Sequence, residues 1–393
     1  MGNRGRACSR EEKRPARQVI VSGKVKMKKA WRLRLGIFSI LAFSLAAGLN
    51  GGEKKTFTLK EDLVIGVDGG DENLMFAEVA DIGLDADGNI YILDWSNSRI
   101  QKFAAGGKFL RSILLKQGQG PEEVAMLGGI GVSPTGMIAV LDRGGNKVLL
   151  FGPQGEFRRF FKLEFQATYV GCQEGDRTVV LGLNAEKILH LFDEDGKLLS
   201  SFGDTFEVPS QFSKYKDMPM MRCPMRFSCS PQGNIFLFNP HKFEISVYRD
   251  SRLLKKVSGK SDLFEPLEVP QASSQRIALR FPFLTILESA SRLYVTVFRT
   301  VHKEGEEGPN ELIVYENDKA VGSMPIDGMP RAVDSQGRVY CAQDSGFPRM
   351  VRYILDEKIG ADASPTAGGM AGTGAAPLHP QSSLKSQRWR GSQ

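Results

Sequence analysis

From residue 79 onward the chain beats time: short apolar runs alternate with small polar knots, and glycine marks the turns. The stretch "DADGNIYILDWSNSRIQKFAAGGKFLRSI", residues 85–113, holds three such runs. Ile90, Tyr91, Ile92 and Leu93 are all apolar, which predicts a strand covered on both faces. "DADGN" and "AAGGK" predict turns in which glycine supplies the left-handed backbone. Three or four short strands cannot close a core alone, so the unit must pair or repeat.

It repeats. "GIGVSPTGMIAVLDRGGNKVLLFGPQGEFRRFF" echoes it from Gly129, "YVGCQEGDRTVVLGLNAEKILHLFDEDGKLLSSF" from Tyr169 and "RFSCSPQGNIFLFNPHKFEISVYRDSRLLKKV" from Arg226. A fifth copy is split into "FLTILESASRLYVTVFRT" and "ELIVYENDKAVGSM", and a sixth, "RAVDSQGRVYCAQDSGFPRMVRYILDEK", starts at Arg331. A period of roughly 40 to 50 residues points to a propeller or array. Four-stranded sheets buried on both faces by their neighbours are propeller blades. The predicted fold is all-β: a six-bladed β-propeller with blades near 79–115, 128–163, 168–203, 225–259, 281–326 and 329–358. The last unit runs out three strands in. "TFTLKEDLVIG", within residues 56–66, is strand-like and is expected to complete it, so that an N-terminal strand closes the last blade and removes two open sheet edges.

The pattern D-x-x-G-N-I-Y-I-x-D-x-x-N-x-R-I-x-x-F, from Asp85 to Phe103, resembles the NHL-repeat group of six-bladed propellers. "LKQGQGPEEVAM" is similar to the G-x-G-P-x-E linker of exported bacterial six-bladed propellers. The resemblance spans roughly residues 56–358 and implies a habit of binding proteins, peptides or glycans, but no reaction, since this architecture hosts enzymes and inert scaffolds alike.

Charge changes the picture only at one end. The net charge is +7, but residues 1–48 hold 12 Lys and Arg against Glu11 and Glu12, leaving 40 basic and 43 acidic residues in the remainder. That body has no basic surplus with which to hold nucleic acid. Within the leader, "MKKAWRLRLGIFSILAFSLAAG" from Met27 has the basic start, apolar centre (residues 35–47) and small-residue end of a secretory signal. The apolar run is short for a membrane span of roughly 20 residues. An exported protein, periplasmic or extracellular, is expected, touching a membrane only through the signal segment if that is retained, and Met27 is the expected true start. Residues 359–393, rich in Gly, Ala, Ser and Pro, form an expected disordered tail.

Candidate chemistry is thin. Of Cys8, Cys172, Cys223, Cys229 and Cys341, none has the C-x-x-C spacing of a zinc site; Cys223 and Cys229 are the closest pair in sequence, and Cys172, Cys229 and Cys341 read as small buried hydrophobes. Asp94 with Asn97, and Asp142 with Asn146, occupy equivalent places and read as turn caps rather than calcium ligands. His190 in "KILHLF" reads as a strand residue, and no G-x-S-x-G elbow is present. At the pore ends of the inner strands stand Asp81, Gly129, Thr168 or Tyr169, Arg226, Pro282 and Arg331. One carboxylate facing two arginines suits an anion better than the carboxylate-bound cation of a metal-dependent lactonase or hydrolase, the alternative reading. No catalytic residue, metal ligand or cofactor is assigned. The long insertions all fall after second and fourth strands, on one face of a propeller, and such loops carry function. Trp95, Arg143, His241, His302, Phe347 and Arg349 on that face, with Arg226 and Arg331 at the pore, form the candidate contact surface of a monomeric binding module for a protein, peptide or glycan of the cell envelope.

Overall fold

The computed structural model describes residues 55–264, 266, 284–298 and 309–359. The signal segment and the rest of the leader, the tail beyond residue 359 and His302 lie outside the described residues, as do much of the connections through 267–283 and 299–308.

Six four-stranded antiparallel sheets follow one another along the chain. Blade one is built from Val79–Leu84, Ile90–Asp94, Arg99–Phe103 and Phe109–Leu114. Blade two uses Leu127–Val132, Ile138–Asp142, Lys147–Phe151 and Phe157–Lys162, and blade three Ala167–Gln173, Arg177–Asn184, Lys187–Phe192 and Leu198–Asp204. Blade four comprises Phe227–Cys229, Ile235–Phe238, Glu244–Arg249 and Arg252–Ser258; blade five Leu284–Ser289, Arg292–Val297, Asn310–Glu316 and Lys319–Ile326. Blade six takes Met329–Val333, Val339–Gln343 and Arg349–Ile359 from the C-terminal side, and its outer strand is Lys55–Ile65. The inner strands of consecutive blades touch all the way round, the sixth against the first, so the sheets form a closed β-propeller.

Burial explains the ring. Ile90–Asp94 is buried at every position, whereas the outer strand Phe109–Leu114 is largely exposed. Within blade one, Tyr91 and Leu93 pack with Ile138, Val140 and Leu149 of blade two. Ile90 and Ile92, one step out of phase, pack with Tyr340, Ala342 and Met350 of blade six. The period-two alternation of a strand therefore feeds two different interfaces. Each such side chain gains roughly 1.5–3 kcal/mol on burial, and a blade without neighbours forfeits it on both faces.

Polar straps cross the same interfaces. Lys102 lies over the Tyr91 ring and donates to the Pro153 carbonyl of blade two at 3.1 Å. Arg352 lies over Tyr340 and donates to the Ala105 carbonyl of blade one at 2.7 Å. In each blade the tyrosine hydroxyl is held by the turn aspartate, Asp85 or Asp334, at 3.0 Å.

The closing strand pairs with the C-terminal strand from Lys55↔Ile359 to Ile65↔Met350, with one bulge between Glu61 and Leu63. Phe57 is buried against Leu312, Val314 and Met324 of blade five. Lys55 bonds Glu316 and Glu357 at 2.9 Å each, and Arg292 joins the same two carboxylates. Arg352 makes a two-pronged bond to Asp62, 2.8 Å on each oxygen. This strand therefore ties blade six to both of its neighbours.

His190 is fully buried on the third strand of blade three. Its Nε2 faces the Gly182 carbonyl at 3.0 Å and its Nδ1 the Ser201 hydroxyl at 2.9 Å. A carbonyl only accepts, so the neutral ring carries its proton on Nε2. Burial, offset in part by the bond to the Gly182 carbonyl, lowers its pKa. The four described cysteines, Cys172, Cys223, Cys229 and Cys341, are unbridged, and burial raises every thiol, Cys172 and Cys223 to about 12.

Two outcomes follow. Phe57→Ala should cost about 3–5 kcal/mol in urea unfolding, while Leu110→Ala on an exposed outer strand should stay within about 0.5 kcal/mol. For His190 the folded pKa lies below the unfolded value of about 6.5. The unfolded chain therefore binds more protons, and stability must fall as pH drops below that value. His190→Gln should show a shallower loss between pH 7.5 and 5.5 in the same assay.

Candidate functional site

Antiparallel order puts the connections after second and fourth strands at one end of every blade. On the other face no connection is longer than 85–89 or its equivalents. The loop-bearing face receives 66–78, 115–126, 205–226, 259–283 and 298–309. Each inner strand begins at that face, so its first residues line the mouth of the pore.

A bulge recurs there. The ladder between first and second strands slips between Val79 and Asp81, between Leu127 and Gly129, and between Ala167 and Tyr169. An extra residue bends the strand and re-aims the side chain beside it. In blade six the slip falls between Pro330 and Ala332, so the extra residue is Arg331 itself. Counted back from the turn glycines Gly88 and Gly337, the equivalent of Asp81 is Pro330 rather than Arg331. The later bulge is what brings Arg331 to the pore cluster, a correction to the reading by repeat position alone.

The cluster is compact. Tyr169 donates its hydroxyl to Asp81 Oδ2 at 2.8 Å, and the Ile130 and Ile82 amides also donate to this carboxylate. Arg226 pairs with Asp81 Oδ1 at 3.5 Å and lies over the Tyr169 ring, 4.5 Å from its centroid. Gly129 sits between them with φ +145; a Cβ there would meet the Tyr169 ring at 2.8 Å. Burial, then the Asp81 charge, raises the Tyr169 pKa well above the phenol range. Burial works against the Arg226 charge, yet Tyr169 and Asp81 leave its pKa raised. For Arg331 burial and the neighbouring Arg226 prevail, and its pKa falls to about 10.

Of the eight residues nominated from sequence, Arg226 and Arg331 come together here. Trp95 lies on the blade-one loop, 40% exposed, with its amide donating to the Glu78 carbonyl at 3.2 Å. The Arg143 stem lies where a Cβ on Gly128 would be, and its backbone N–H bonds the Met126 carbonyl at 2.8 Å. His241 stacks on Phe212 and its Nε2 reaches the Met221 carbonyl at 2.8 Å, holding the 205–226 insertion to blade four. Phe347 lies in the connection before the third strand of blade six, but Arg349 is the first residue of that strand and not a loop residue; its guanidinium lies over the Phe347 ring and donates to the Ser345 carbonyl at 2.7 Å. The two turn-cap aspartates behave as read: Asp94 accepts from the Ala77 and Glu78 amides and from Asn97, and Asp142 from the Ala125, Met126 and Gly144 amides. Asn146 differs, donating to the Leu163 carbonyl instead of to Asp142.

Asp81 and Tyr169, placed at the pore ends from sequence but left out of the contact surface, are members of the pore network. One feature escaped the sequence reading. Exposed methionines gather on the loop-bearing connections: Met75, Met126, Met218, Met220 and Met225. The string "MPMMRCPM" was the visible signal for the last three. The insertion that carries them is ordered by its own small core of Phe212 and Met221, and by the Phe206 amide on the Arg222 carbonyl at 2.9 Å.

Two cavities bear on the site. One of about 30 Å³ is lined by Tyr169, Arg226, Phe236, Thr285, Pro330 and Arg331, among others. A larger one, about 170 Å³, lies between blades three and four at the short-turn face, bounded by Gln173, Arg177, Gly233 and Asp250. Volume and loop length thus point to opposite faces; the larger cavity is a furrow between turns, lined also by Glu174, Gln232, Arg249 and Ser251. Among the described residues no three His, Cys, Asp or Glu side chains are grouped to hold a metal ion, and no helix is long and apolar enough to cross a membrane.

Tyr169→Phe should cost about 1.5–3 kcal/mol, since a hydrogen bond to a buried charge is lost. Asp81→Ala should cost more, about 3–5 kcal/mol, by stranding Arg226. In a double variant the two losses should not add, because the groups share one network. Additive losses in chemical unfolding would show that the cluster does not act as a unit.

Comparison with known proteins agrees with this architecture. Residues 71–180 match the DUF5128 family model, described as a 6-bladed beta-propeller. Among curated proteins none matches. A protein of Bacteroides fragilis NCTC 9343 described as exported is similar in structure, with a TM-score of 0.51 at 13% identity, covering 77% of this chain and 96% of its own. A member of the DUF4221 family from Bacteroides vulgatus ATCC 8482 gives 0.53 at 11% identity, covering 78% and 99%. At such identities the likeness concerns the fold. The chain is a six-bladed β-propeller.

Proposed function

We propose that this protein is an exported, monomeric binding module of the periplasm or cell exterior, whose loop-bearing face contacts a protein, peptide or glycan of the envelope. The observation that carries the reading is one-sidedness. Every long connection joins the same face, while the opposite turns are minimal. A rigid ring that spends its chain length on one side presents a surface there. The exposed methionines on those connections, with Trp95, favour a protein or peptide over a glycan. Methionine is flexible and polarisable, and surfaces rich in it adapt to varied apolar side chains. The NHL-like pattern from Asp85 to Phe103 supports the same habit of binding, and the structural neighbour described as exported supports export.

The test is a triple variant, Met218→Ser, Met220→Ser and Met225→Ser. All three side chains are exposed, so the melting temperature should hardly move. Photo-crosslinking in an envelope extract should lose at least tenfold of the partner yield seen with the unaltered protein. Equal yields, with the same partners, would remove the 205–226 insertion from the contact surface.

A further inference from the structure

We propose that the mouth of the pore holds one small monovalent anion, of halide size, against Arg331 beside Arg226. The site is independent of the partner reading above. Charge makes the case first. Asp81 supplies one negative charge, and it is already engaged by Arg226, the Tyr169 hydroxyl and two amides. Arg331 has no ion pair among the described residues, and its Nε and Nη1 are buried without a hydrogen-bond partner. Asp81, and less strongly the exposed carboxylate of Asp344, act on it without forming an ion pair. The group therefore carries a net charge of +1, which burial penalises unless a counter-charge is present.

Geometry makes it second. Thr285 Oγ1 is also buried and unpartnered, and it lines the same small cavity as Arg331 and Arg226. The two residues that carry these three unpartnered donor atoms thus line one cavity, whose remaining wall includes Phe227, Phe236, Ile286 and Leu287. Its volume of about 30 Å³ has room for one or two particles the size of water. The surplus is one positive charge, which a monovalent ion matches and a dianionic phosphate or sulfate exceeds. Water could satisfy the donors but not the charge; a halide does both. The lowered Arg331 pKa, caused by burial and then by Arg226, is what an uncompensated guanidinium would show.

The experiment compares sodium gluconate with sodium chloride and sodium bromide at fixed ionic strength. Chloride should raise the melting temperature of the full-length protein saturably, because a ligand bound only by the folded state stabilises it. Arg331→Met should lose the halide-specific rise and melt no lower than the unaltered protein in gluconate. Should that variant fail to fold, the chloride-35 NMR line width of the unaltered protein decides: excess broadening should appear and be titrated away by bromide. Equal melting in all three salts with no excess broadening would mean that the cavity holds water only. A halide effect that persists in Arg331→Met would place the anion elsewhere. Either result overturns the proposal.

Discussion

Every blade of this protein is apolar on two faces, and that constraint governs the rest. Tyr91 and Leu93 need blade two while Ile90 and Ile92 need blade six. A linear array would leave the first and last sheets with one bare face each. Closure is the arrangement in which no face is left over. It must also be fastened, because a ring of separate sheets has a seam. Here the seam lies inside blade six, where Lys55–Ile65, the first described strand, pairs with Arg349–Ile359, the last. Phe57, the Lys55–Glu316–Glu357–Arg292 set and the Arg352–Asp62 pair surround that seam. The contacts at this seam thus hold the ring closed.

Closure has a second consequence at the axis. Six inner strands approach closely enough that a Cβ on Gly131 would lie 2.7 Å from the Gly171 backbone. Space near the axis is therefore scarce, and a large side chain enters only where a neighbour gives way. Gly129 gives way to Tyr169, which in turn supports Arg226 and caps Asp81. The polar group at the pore mouth is asymmetric because the blades differ in the residues, and in blade six in the bulge position, that they bring to it. The resulting excess of positive charge is a property of the ring as a whole, not of any one repeat.

Much of the fold was legible in the sequence because repetition and burial leave a regular trace. Gly88 and Gly136 set the beat, and "NIYILD" declares a strand with two covered faces. The missing strand of the last unit could be found by counting. The site was less legible. Counting from the turn glycines puts Pro330, not Arg331, in register with Asp81, and Arg331 reaches the pore only because the ladder of blade six slips at that residue; a bulge is a backbone event with no side-chain signature. His241 looked like a surface group, but it anchors an insertion through Met221 and Phe212, a contact between loops that no periodicity encodes. The methionines were present in the string, yet their exposure depends on which of them fills the insertion's own core. Met221 does, whereas Met218, Met220 and Met225 do not.

Amide hydrogen exchange along the closing strand tests the central claim most directly. If the ring depends on this seam, the bonded amides of Lys55–Ile65 open only when the whole propeller unfolds, and their protection should match that of Ile90–Asp94 at the centre of blade one. Exchange in the first strand at the rate of a frayed terminus, with the six sheets still protected, would contradict it.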